Sequence, residues 1–250
     1  MSLPTLFLSD VHLDPARPGI LADFIGFLDG PGRQADSLYI LGDLFEAWIG
    51  DDVVDSGHPV LAALARLTGE AGVPVWFMHG NRDFLIGPRF AALTGVGLLE
   101  DPCVVAVDGE PVLLMHGDSL CTDDHAYQSF RATVRNPDWQ AGFLALPVED
   151  RLRMARNARD ESSARNRTLA ASARGEQIMD VNPQAVEDSL RRHGVQRLIH
   201  GHTHRPGSHR LLVDGRPCQR WVLGDWYDQG SVLRCQQGHW QLQGLDGTPA

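Results

Sequence analysis

The sequence predicts an α/β fold. Two observations indicate it: short apolar runs alternate with helical patterns over residues 5–120, and most of these runs are continuous rather than interrupted by polar residues. Alternating strands and helices are typical of βαβ units, and continuous apolar runs are typical of strands that are buried on both faces. A chain of 250 residues is also long enough to bury a core without disulfides or a structural metal.

In the first half of the chain, the patterns that predict strands and helices follow one another in a regular order. Each apolar run is followed by a polar turn and then by apolar residues at helical spacing. Two later runs, separated by Asp-Gly-Glu, are typical of a hairpin with a tight turn. In chain order we predict a strand at 5–9, a helix at 18–29, a strand at 37–41, a helix at 58–71, a strand at 73–79, a short helix at 88–94 and a hairpin of CVVAV (103–107) and PVLLMH (111–116).

The pattern changes after residue 122. Residues 123–178 are polar and rich in Arg and Ala, with helical propensity and no strand-like run, and seven of the 22 arginines lie between 151 and 174. We therefore predict a helical insertion at 123–178 that covers a core formed by 1–122 and 179–250. In the second part of the core we predict a helix at 182–195, which begins at Asn182 and ends at Gly194. A strand in QRLIH and several strands in 207–245 should follow it.

Composition and charge disfavour several classes of protein. The formal net charge of −10 argues against a general affinity for nucleic acid or anionic lipid, because both favour a basic surface. No apolar run is long enough to span a bilayer, and we expect no signal peptide at the N-terminus. The four cysteines, Cys103, Cys121, Cys218 and Cys235, include no Cys-x-x-Cys pair, so we expect reduced thiols rather than a zinc ribbon.

Side chains that can bind a metal follow the predicted strands. Five apolar runs are each followed within a few residues by Asp, Asn or His. Ligands of α/β sheets gather beyond the carboxyl ends of the strands, so we expect these side chains to converge on one edge. Each of them alone is more typical of a turn or a core histidine, but together they favour a metal site. The candidates are Asp10, His12, Asp43, Asn81, His116, His202 and His204.

The chemistry of these side chains suits a pair of divalent ions. All offer oxygen or nitrogen and none offers a thiolate, which favours Mn²⁺, Fe²⁺ or Zn²⁺ over a structural zinc cage. Two ions about 3.5–4 Å apart need a shared carboxylate and several neutral ligands. We expect Asp43 to bridge the ions. Asp10 and His12 would complete one site with one late histidine, and Asn81 and His116 would complete the other with the second late histidine.

The same motifs in the same order resemble those of the calcineurin-like metallophosphoesterase superfamily: D-x-H at 10–12, G-D at 42–43, G-N at 80–81, H-G at 116–117 and G-H-x-H at 201–204. The resemblance implies a four-layered α/β/β/α sandwich with a helical cap insertion over a dinuclear site. It makes His202 and His204 the last ligands. We expect His200 to be a packed histidine at a strand end, and Asp83 to support a histidine ligand.

Arg82 stands where many members of the superfamily have a histidine, in the pattern G-N-H-D. Arginine stays charged and cannot protonate a leaving group, but it can bind a phosphate through two N–H groups and stabilise developing charge. We therefore expect a leaving group of low pKa, such as a phosphate released from a pyrophosphate. The candidate catalytic residues are Asp43, Asn81, Arg82 and His116.

Longer stretches, among them YILGDLFEAWIGDD (39–52) and MHGDSLCTDDHAYQSFR (115–131), resemble one branch of the superfamily. Its members act on the lipid-linked sugar UDP-2,3-diacylglucosamine in the lipid A pathway of Gram-negative bacteria. The resemblance implies water attack at the α-phosphorus, two Mn²⁺ ions, and a peripheral position on the cytoplasmic face of the inner membrane. Substrate contacts are expected at Asn81, Arg82, Asp124, Ser162, Asn166, Arg167 and His202.

Other interpretations remain open. The same site could act on another nucleoside diphosphate derivative or on a phosphomonoester. A scaffold that binds metal without turnover is a second alternative, which the complete set of seven candidate ligands disfavours. A nuclease is a third, which the net charge and the lack of a basic stripe interleaved with aromatics disfavour, so we expect no nucleic acid partner. We also expect a monomer, and we expect Trp48 and Phe84 to be core aromatics rather than pocket walls.

Overall fold

The computed structural model describes residues 2–55, 57–170, 175–227 and 230–248, without the side chains of Asn166, Ala170, Glu176 and Gln177. The strands in these ranges are β1 Thr5–Leu8, β2 Ser37–Ile40, β3 Val75–Met78, β4 Gly97–Leu99, β5 Cys103–Val107, β6 Glu110–Leu114, β7 Arg197–His200, β8 Gly207–Val213, β9 Arg216–Val222, β10 Val232–Gln236 and β11 His239–Gln243. The helices are α1 Pro18–Asp29, α2 Pro59–Gly69, α3 Pro88–Thr94, α4 His125–Val134, α5 Pro137–Leu144, α6 Val148–Ala170, α7 Gly175–Ile178 and α8 Pro183–His193.

The strands form two mixed sheets. The first has six strands in the order β11-β10-β1-β2-β3-β4, and β1 to β4 run parallel. The second has five strands in the order β5-β6-β7-β9-β8, in which β6, β7 and β9 run parallel. Parallel neighbours bring their carboxyl ends to the same edge, so β1, β2 and β3 end together in one sheet, and β6 and β7 end together in the other.

The two sheets pack face to face and each carries helices on its outer face. Phe7 and Tyr39 of the first sheet lie in one buried cluster with Leu114, Ile199 and Trp221 of the second. The helices α1, α2 and α3 cover the outer face of the first sheet with side chains such as those of Phe24, Leu64 and Phe90. On the far side, Val186 and Leu190 of α8 pack against the second sheet. The predicted four-layered α/β/β/α sandwich is confirmed.

Most of the predicted elements are present near their predicted bounds. The hairpin of β5 and β6 is antiparallel, as expected. The side chain of Asn182 accepts hydrogen bonds from the backbone N–H groups of Gln184 and Ala185 and so begins α8, and Gly194 ends it in the left-handed region. The short edge strand β4 was not predicted, because three residues of Gly-Leu-Leu give too brief a pattern to separate from a turn.

The helices α4 to α7 lie between β6 and α8 and form the insertion, which we call the cap. The side chain of Asp124 accepts from the backbone N–H of Tyr127 at the start of α4. Trp139 and Phe143 of α5 stack at 5.1 Å and pack with Phe84 of the core. No helix in the described ranges is both long enough and apolar enough to cross a lipid bilayer.

A buried arginine fixes the long cap helix α6 to the core. The side chain of Arg151 is only 2% exposed. Its Nη1 atom donates to the backbone oxygen of Ile49 at 2.7 Å and to Asp52 Oδ1 at 2.8 Å, while Nη2 donates to Asp52 Oδ2. Ile49 and Asp52 belong to the loop that follows Asp43, so the cap is held beside the ends of the parallel strands.

Candidate metal centre

The candidate ligands follow strand ends in an uncommon backbone conformation. Five of the seven have positive φ angles: Asp10 at 54°, His12 at 52°, Asp43 at 52°, His202 at 68° and His204 at 54°. A residue other than glycine in the left-handed region costs about 1–3 kcal/mol, and such residues cluster at functional sites. The turns after β1, β2 and β7 are therefore locally less stable than ordinary turns, and their conformation directs these side chains to the same site.

The glycines of the G-D, G-N and G-H-x-H motifs permit close approach of these turns. A Cβ atom on Gly80 would lie 2.0 Å from Asp43 Oδ1, and one on Gly201 would lie 2.3 Å from Asp10 Oδ2. A Cβ atom on Gly42 would lie 2.6 Å from His116 Nδ1. Each motif thus pairs a ligand candidate with a glycine that leaves room for a neighbouring turn.

One group of candidates surrounds Asp10. The Oδ1 atom of Asp10 lies 3.4 Å from His204 Nε2 and 3.9 Å from His12 Nε2. The two histidine Nε2 atoms lie 3.2 Å apart. Single ligand atoms of Asp10, His12 and His204 all lie within 4.8 Å of one another, a spacing that one divalent ion can span.

A second group lies beside the first. Asn81 Oδ1 is 3.0 Å from His116 Nε2 and 2.9 Å from His202 Nδ1. Asp43 lies between the groups, with Oδ1 3.8 Å from His116 Nε2 and Oδ2 3.8 Å from His12 Nε2. All seven predicted ligands are therefore together, and the two oxygens of Asp43 face different groups. Asp10 is also close to Asp43 and His116, which the sequence did not predict.

The charges of this site are strongly coupled. Burial raises the pKa of Asp43. Burial alone would lower the pKa of His116, but Asp43 and other carboxylates raise it to about 9. The pKa of His204 is likewise raised to about 10 against burial by its contacts with Asp10 and Asp225. Burial works against ionisation of Asp10, yet His204 brings the pKa of Asp10 well below its usual value. In the metal-free chain, protonated imidazoles thus balance the buried carboxylates.

Two other candidates stay neutral. Burial lowers the pKa of His12 to about 3 and that of His202 to about 4. Neutral imidazole is the form that binds a metal. A divalent cation would neutralise the buried carboxylates itself, and His116 and His204 would then lose their protons.

The donors fit a divalent ion. The buried Oδ1 atom of Asp10 has no hydrogen-bond partner among the described residues, although it faces His12 and His204. A buried carboxylate oxygen without a partner is costly, and a cation removes that cost. The set contains carboxylate, amide and imidazole groups and no thiolate, which suits Mn²⁺, Fe²⁺ or Zn²⁺.

Groups behind the ligands hold them in place. His116 Nδ1 donates to the backbone oxygen of Leu41 at 2.9 Å, and His204 Nδ1 lies 3.1 Å from Asp225 Oδ2. Asp225 was not predicted as a site residue, although its G-D dipeptide after β9 repeats the pattern that identified Asp43. Metal-binding histidines commonly donate their other N–H to such a carboxylate or carbonyl, which fixes the orientation of the ring.

Asp83 has a different role from the one expected. We predicted that it supports a histidine ligand. Instead its carboxylate accepts hydrogen bonds from four backbone N–H groups, those of Asp43, Leu44, Phe45 and Gly80, at 2.7–3.3 Å. It therefore joins the turn after β2 to the turn after β3. The physical reason is local: these turns leave several N–H groups buried and unpaired, and a carboxylate can accept from all of them.

His200 is a packed histidine, as expected. It is fully buried at the end of β7, and its Nδ1 atom donates to the backbone oxygen of Gly201 at 2.9 Å. Burial lowers the pKa of His200 to about 3, so it is neutral.

Two neighbouring cavities lie between the core and the cap. A polar cavity of about 270 Å³ is lined by His12, Asp43 and His202 together with cap residues. A more apolar cavity of about 350 Å³ is lined by side chains such as those of Phe143 and Met154. Both cavities are lined by Asn81, Arg82, Tyr127, Ser162 and Arg165, which form the border between them.

Arg82 lies at this border, whereas the two expected core aromatics line only the apolar cavity. The Nε atom of Arg82 is buried without a hydrogen-bond partner among the described residues, so the guanidinium is free to bind an anion. Trp48 and Phe84 are half-buried and line the apolar cavity while they also pack in the core. We predicted them as core aromatics, and in the structure they are part of the pocket wall as well.

Only some of the cap residues that we expected to contact substrate line the cavities. Ser162 lines both cavities, and Asp124 lines the polar one, where its carboxylate pairs with the guanidinium of Arg165. Arg167 is exposed and lines neither cavity. The side chain of Asn166 lies outside the described part of the structure. Arg165, which was not predicted as a site residue, is a cap arginine that lines both cavities.

The model of the calcineurin-like phosphoesterase family matches residues 3–206. This match covers most of the chain and all seven candidate ligands. The chain belongs to this metallophosphoesterase family. Membership implies the use of divalent metal, in agreement with the donors described above.

Curated relatives are similar over almost the whole chain. A protein named UDP-2,3-diacylglucosamine hydrolase from Stenotrophomonas maltophilia is 50% identical over 245 residues, which cover 97% of this chain and 99% of the relative. Proteins of the same name from Xanthomonas oryzae pv. oryzae and Chromohalobacter salexigens are 52% and 53% identical. These matches cover 93% and 90% of this chain, and 95% and 89% of the relatives.

Proposed function

We propose that the chain hydrolyses the pyrophosphate bond of UDP-2,3-diacylglucosamine in lipid A biosynthesis and releases UMP and 2,3-diacylglucosamine 1-phosphate. The observation that carries the proposal is the border shared by the two cavities, where Asn81, Arg82 and Arg165 separate a polar chamber with the metal ligands from an apolar one. A substrate with an anionic half and an acylated half matches this division. The names of relatives that are 50–53% identical support the same substrate.

The proposed cofactor is a pair of Mn²⁺ ions. Asp10, His12 and His204 would hold one ion and Asn81, His116 and His202 the other, with Asp43 between them. Divalent ions held by these residues would supply a water of lowered pKa and would neutralise phosphoryl charge.

The chain's own residues bind and orient the diphosphate. In the proposed reaction, a water oxygen forms a bond to the α-phosphorus, the bond from that phosphorus to the bridging oxygen breaks, and a proton of the water is released to solvent. The leaving group is a phosphate monoester of low pKa, so it needs no proton from Arg82. The free guanidinium of Arg82 instead stabilises charge on the phosphates, and the amide of Asn81 lies beside it.

The cap would receive the acyl chains. Phe130, Val134 and Phe143 line the apolar cavity, and its volume of about 350 Å³ falls in the range of ligand pockets. Ser162, Asn166, Arg167 and Asp124 stay proposed substrate contacts of the cap, and the structure favours Arg165 as a further one.

We also propose that a monomer works peripherally at the cytoplasmic face of the inner membrane. Leu144, Leu152 and Met154 on α5 and α6 are each 40% exposed or slightly more, and Arg153 and Arg156 are exposed beside them. Apolar side chains flanked by arginine are typical of surfaces that contact lipid.

A substrate panel tests the proposal. We expect UMP release from UDP-2,3-diacylglucosamine to exceed that from the unacylated UDP-N-acetylglucosamine by at least about a hundredfold in kcat/KM, because only the acylated sugar fills the apolar cavity. Replacing Phe143 by Ala should reduce this ratio, whereas Val53→Ala, an exposed position away from the cavity, should not. Equal turnover of both sugars, or turnover of simple phosphodiesters alone, would overturn the assignment of substrate.

A further inference from the structure

Glu46 is a buried carboxylate directly behind the metal-ligand candidate His12. It is 6% exposed and follows the turn that carries Asp43. Its Oε2 atom lies 3.5 Å from His12 Nδ1, and that nitrogen has no hydrogen-bond partner at normal distance. The opposite nitrogen of the ring, Nε2, faces the carboxylates of Asp10 and Asp43. The two nitrogens of His12 thus face different carboxylates, one at the candidate site and one behind it.

This arrangement determines which nitrogen of His12 is available for a metal. A neutral imidazole carries one N–H, and it is held at the nitrogen that faces an acceptor. Both nitrogens of His12 face carboxylates, but Glu46 is the nearer one, at 3.5 Å from Nδ1 against 3.8 and 3.9 Å from Nε2 to Asp43 and Asp10. It therefore favours the N–H on Nδ1 and leaves the lone pair of Nε2 directed towards Asp10 and Asp43. Tyr227 contacts both partners. Its ring stacks on that of His12 with a centroid distance of 5.1 Å, and its Oη donates a hydrogen bond to Glu46 Oε2 at 3.1 Å.

The second oxygen of Glu46 is bound by the cap. Arg159 of α6 places Nε 3.1 Å from Glu46 Oε1, and its Nη1 atom lies 3.6 Å from Asp14 Oδ2. Among the described residues, Arg159 is the arginine that forms an ion pair with Glu46, whereas Arg17 lies over the ring of Tyr227 at 4.1 Å. One carboxylate therefore contacts both a metal-ligand candidate of the core and a helix of the cap.

We propose that Glu46 is a positioning residue for His12 and that Arg159 makes the placement of the cap part of that positioning. The inference rests on the proposed metal site. When α6 is docked, Arg159 holds Glu46 against His12, and Nε2 of His12 points to the ion position shared with Asp10 and His204. When α6 is displaced, Glu46 loses its cation and His12 loses its orientation. Cap placement and metal affinity at this one position are then linked.

Metal titration tests the inference. The variant Glu46→Gln keeps the shape of the side chain but removes its charge, and free Mn²⁺ is measured by electron paramagnetic resonance during titration of the metal-stripped protein. We expect two binding events in the unchanged chain. In Glu46→Gln, one event should weaken by about 10–100-fold, as is usual when the partner of a ligand histidine is lost, and the other should stay close to its original affinity. The matched control Glu149→Gln, an exposed position in the first turn of α6, should change neither event.

The link to the cap needs a second variant. Arg159→Gln should weaken the same event, and the double variant should bind no more weakly than Glu46→Gln alone, because both substitutions break one chain of contacts. In the zinc-loaded protein, nuclear magnetic resonance of ¹⁵N-labelled histidine should show the proton of His12 on Nδ1, and its exchange with water should accelerate in both variants.

The outcomes separate the two proposals. If the unchanged chain binds two ions and Glu46→Gln binds both with unchanged affinity, the positioning role is wrong and the metal site stands. If Arg159→Gln and Glu46→Gln weaken binding additively, the link through the cap is wrong. If the unchanged chain binds no Mn²⁺, the proposed metal site itself fails, and the inference fails with it.

Discussion

The seven candidate ligands could be predicted because each follows a recognisable strand and stands in a short motif. Most of the residues that support them could not, apart from Asp225, whose G-D dipeptide repeats the pattern of Asp43. Glu46 and Tyr227 are separated by 181 positions, and nothing in their local sequence indicates that they meet at His12. Asp83 was recognised from its motif but was given the wrong partner, because the sequence does not show which backbone N–H groups the turns leave unpaired.

Gly80 should be intolerant of any side chain. In Gly80→Ala the new Cβ atom would lie 2.0 Å from Asp43 Oδ1, so the turn or the carboxylate must move. Misplacement of a catalytic group by about 1 Å costs about a hundredfold in rate, and we expect a loss of that order in kcat/KM together with weaker Mn²⁺ binding. In the control Gly26→Ala, nothing lies within 4 Å of the new atom, and activity should be unchanged. Normal metal binding and activity in Gly80→Ala would refute this explanation of the motif.

Arg82 should act through its charge and its geometry rather than as an acid. We expect Arg82→Ala to lower kcat/KM by about 10²–10³, the usual cost of losing one donor that stabilises developing charge. We expect kcat/KM of Arg82→Lys to lie between those of Arg82→Ala and the unchanged chain, because lysine keeps the charge but cannot bind a phosphate through two fixed N–H groups. Steady-state kinetics over a range of pH measures both effects. A basic limb of the pH profile that is present in the unchanged chain and disappears in Arg82→Ala would contradict the role assigned here.

The cysteines should react slowly in the folded chain. Burial raises the pKa of Cys121 from 9.0 to about 12, so its thiolate fraction at pH 8 falls about a thousandfold relative to an exposed thiol. Alkylation by iodoacetamide, followed by mass spectrometry, should modify Cys121 only after unfolding in urea. Rapid modification of Cys121 in the native protein would show that its environment is more open than described.

At the scale of elements, the strands and helices of the core were predicted close to their observed bounds, because their apolar patterns and caps are local features. The insertion was predicted as helical, but neither its division into α4 to α7 nor its anchoring could be inferred. Arg151 illustrates the reason. Seven arginines in one stretch look alike in sequence, yet Arg151 is buried whereas Arg153 is exposed.

The buried arginine should matter for stability where its exposed neighbour does not. Arg151→Ala removes hydrogen bonds to the backbone oxygen of Ile49 and to Asp52, and we expect the free energy of unfolding to fall by about 2 kcal/mol. Arg153→Ala removes only an exposed contact with Asp150, and we expect it to change the free energy of unfolding by less than about 0.5 kcal/mol. Urea unfolding measures both variants. Limited proteolysis of α6 should also accelerate in Arg151→Ala alone, and equal stability of the two variants would exclude the anchor.

At the scale of the whole molecule, the sandwich joins the carboxyl ends of two parallel groups of strands at one edge. The first group contributes Asp10, His12, Asp43 and Asn81, and the second contributes His116 and the G-H-x-H histidines. Apolar periodicity predicts the strands, but it does not determine which sheet each strand joins. The resemblance to a known family supplied that arrangement. The border between the two cavities depends on the cap, and it emerges only when both cap and core are in place.

The central claim is metal-dependent attack of water on the α-phosphorus of UDP-2,3-diacylglucosamine. The most direct test is hydrolysis of this lipid in ¹⁸O-labelled water by the metal-stripped protein, with and without added Mn²⁺. We predict that UMP forms only with the metal and that the label is found in UMP. Label in 2,3-diacylglucosamine 1-phosphate, or UMP formation that does not depend on the metal, would contradict the claim.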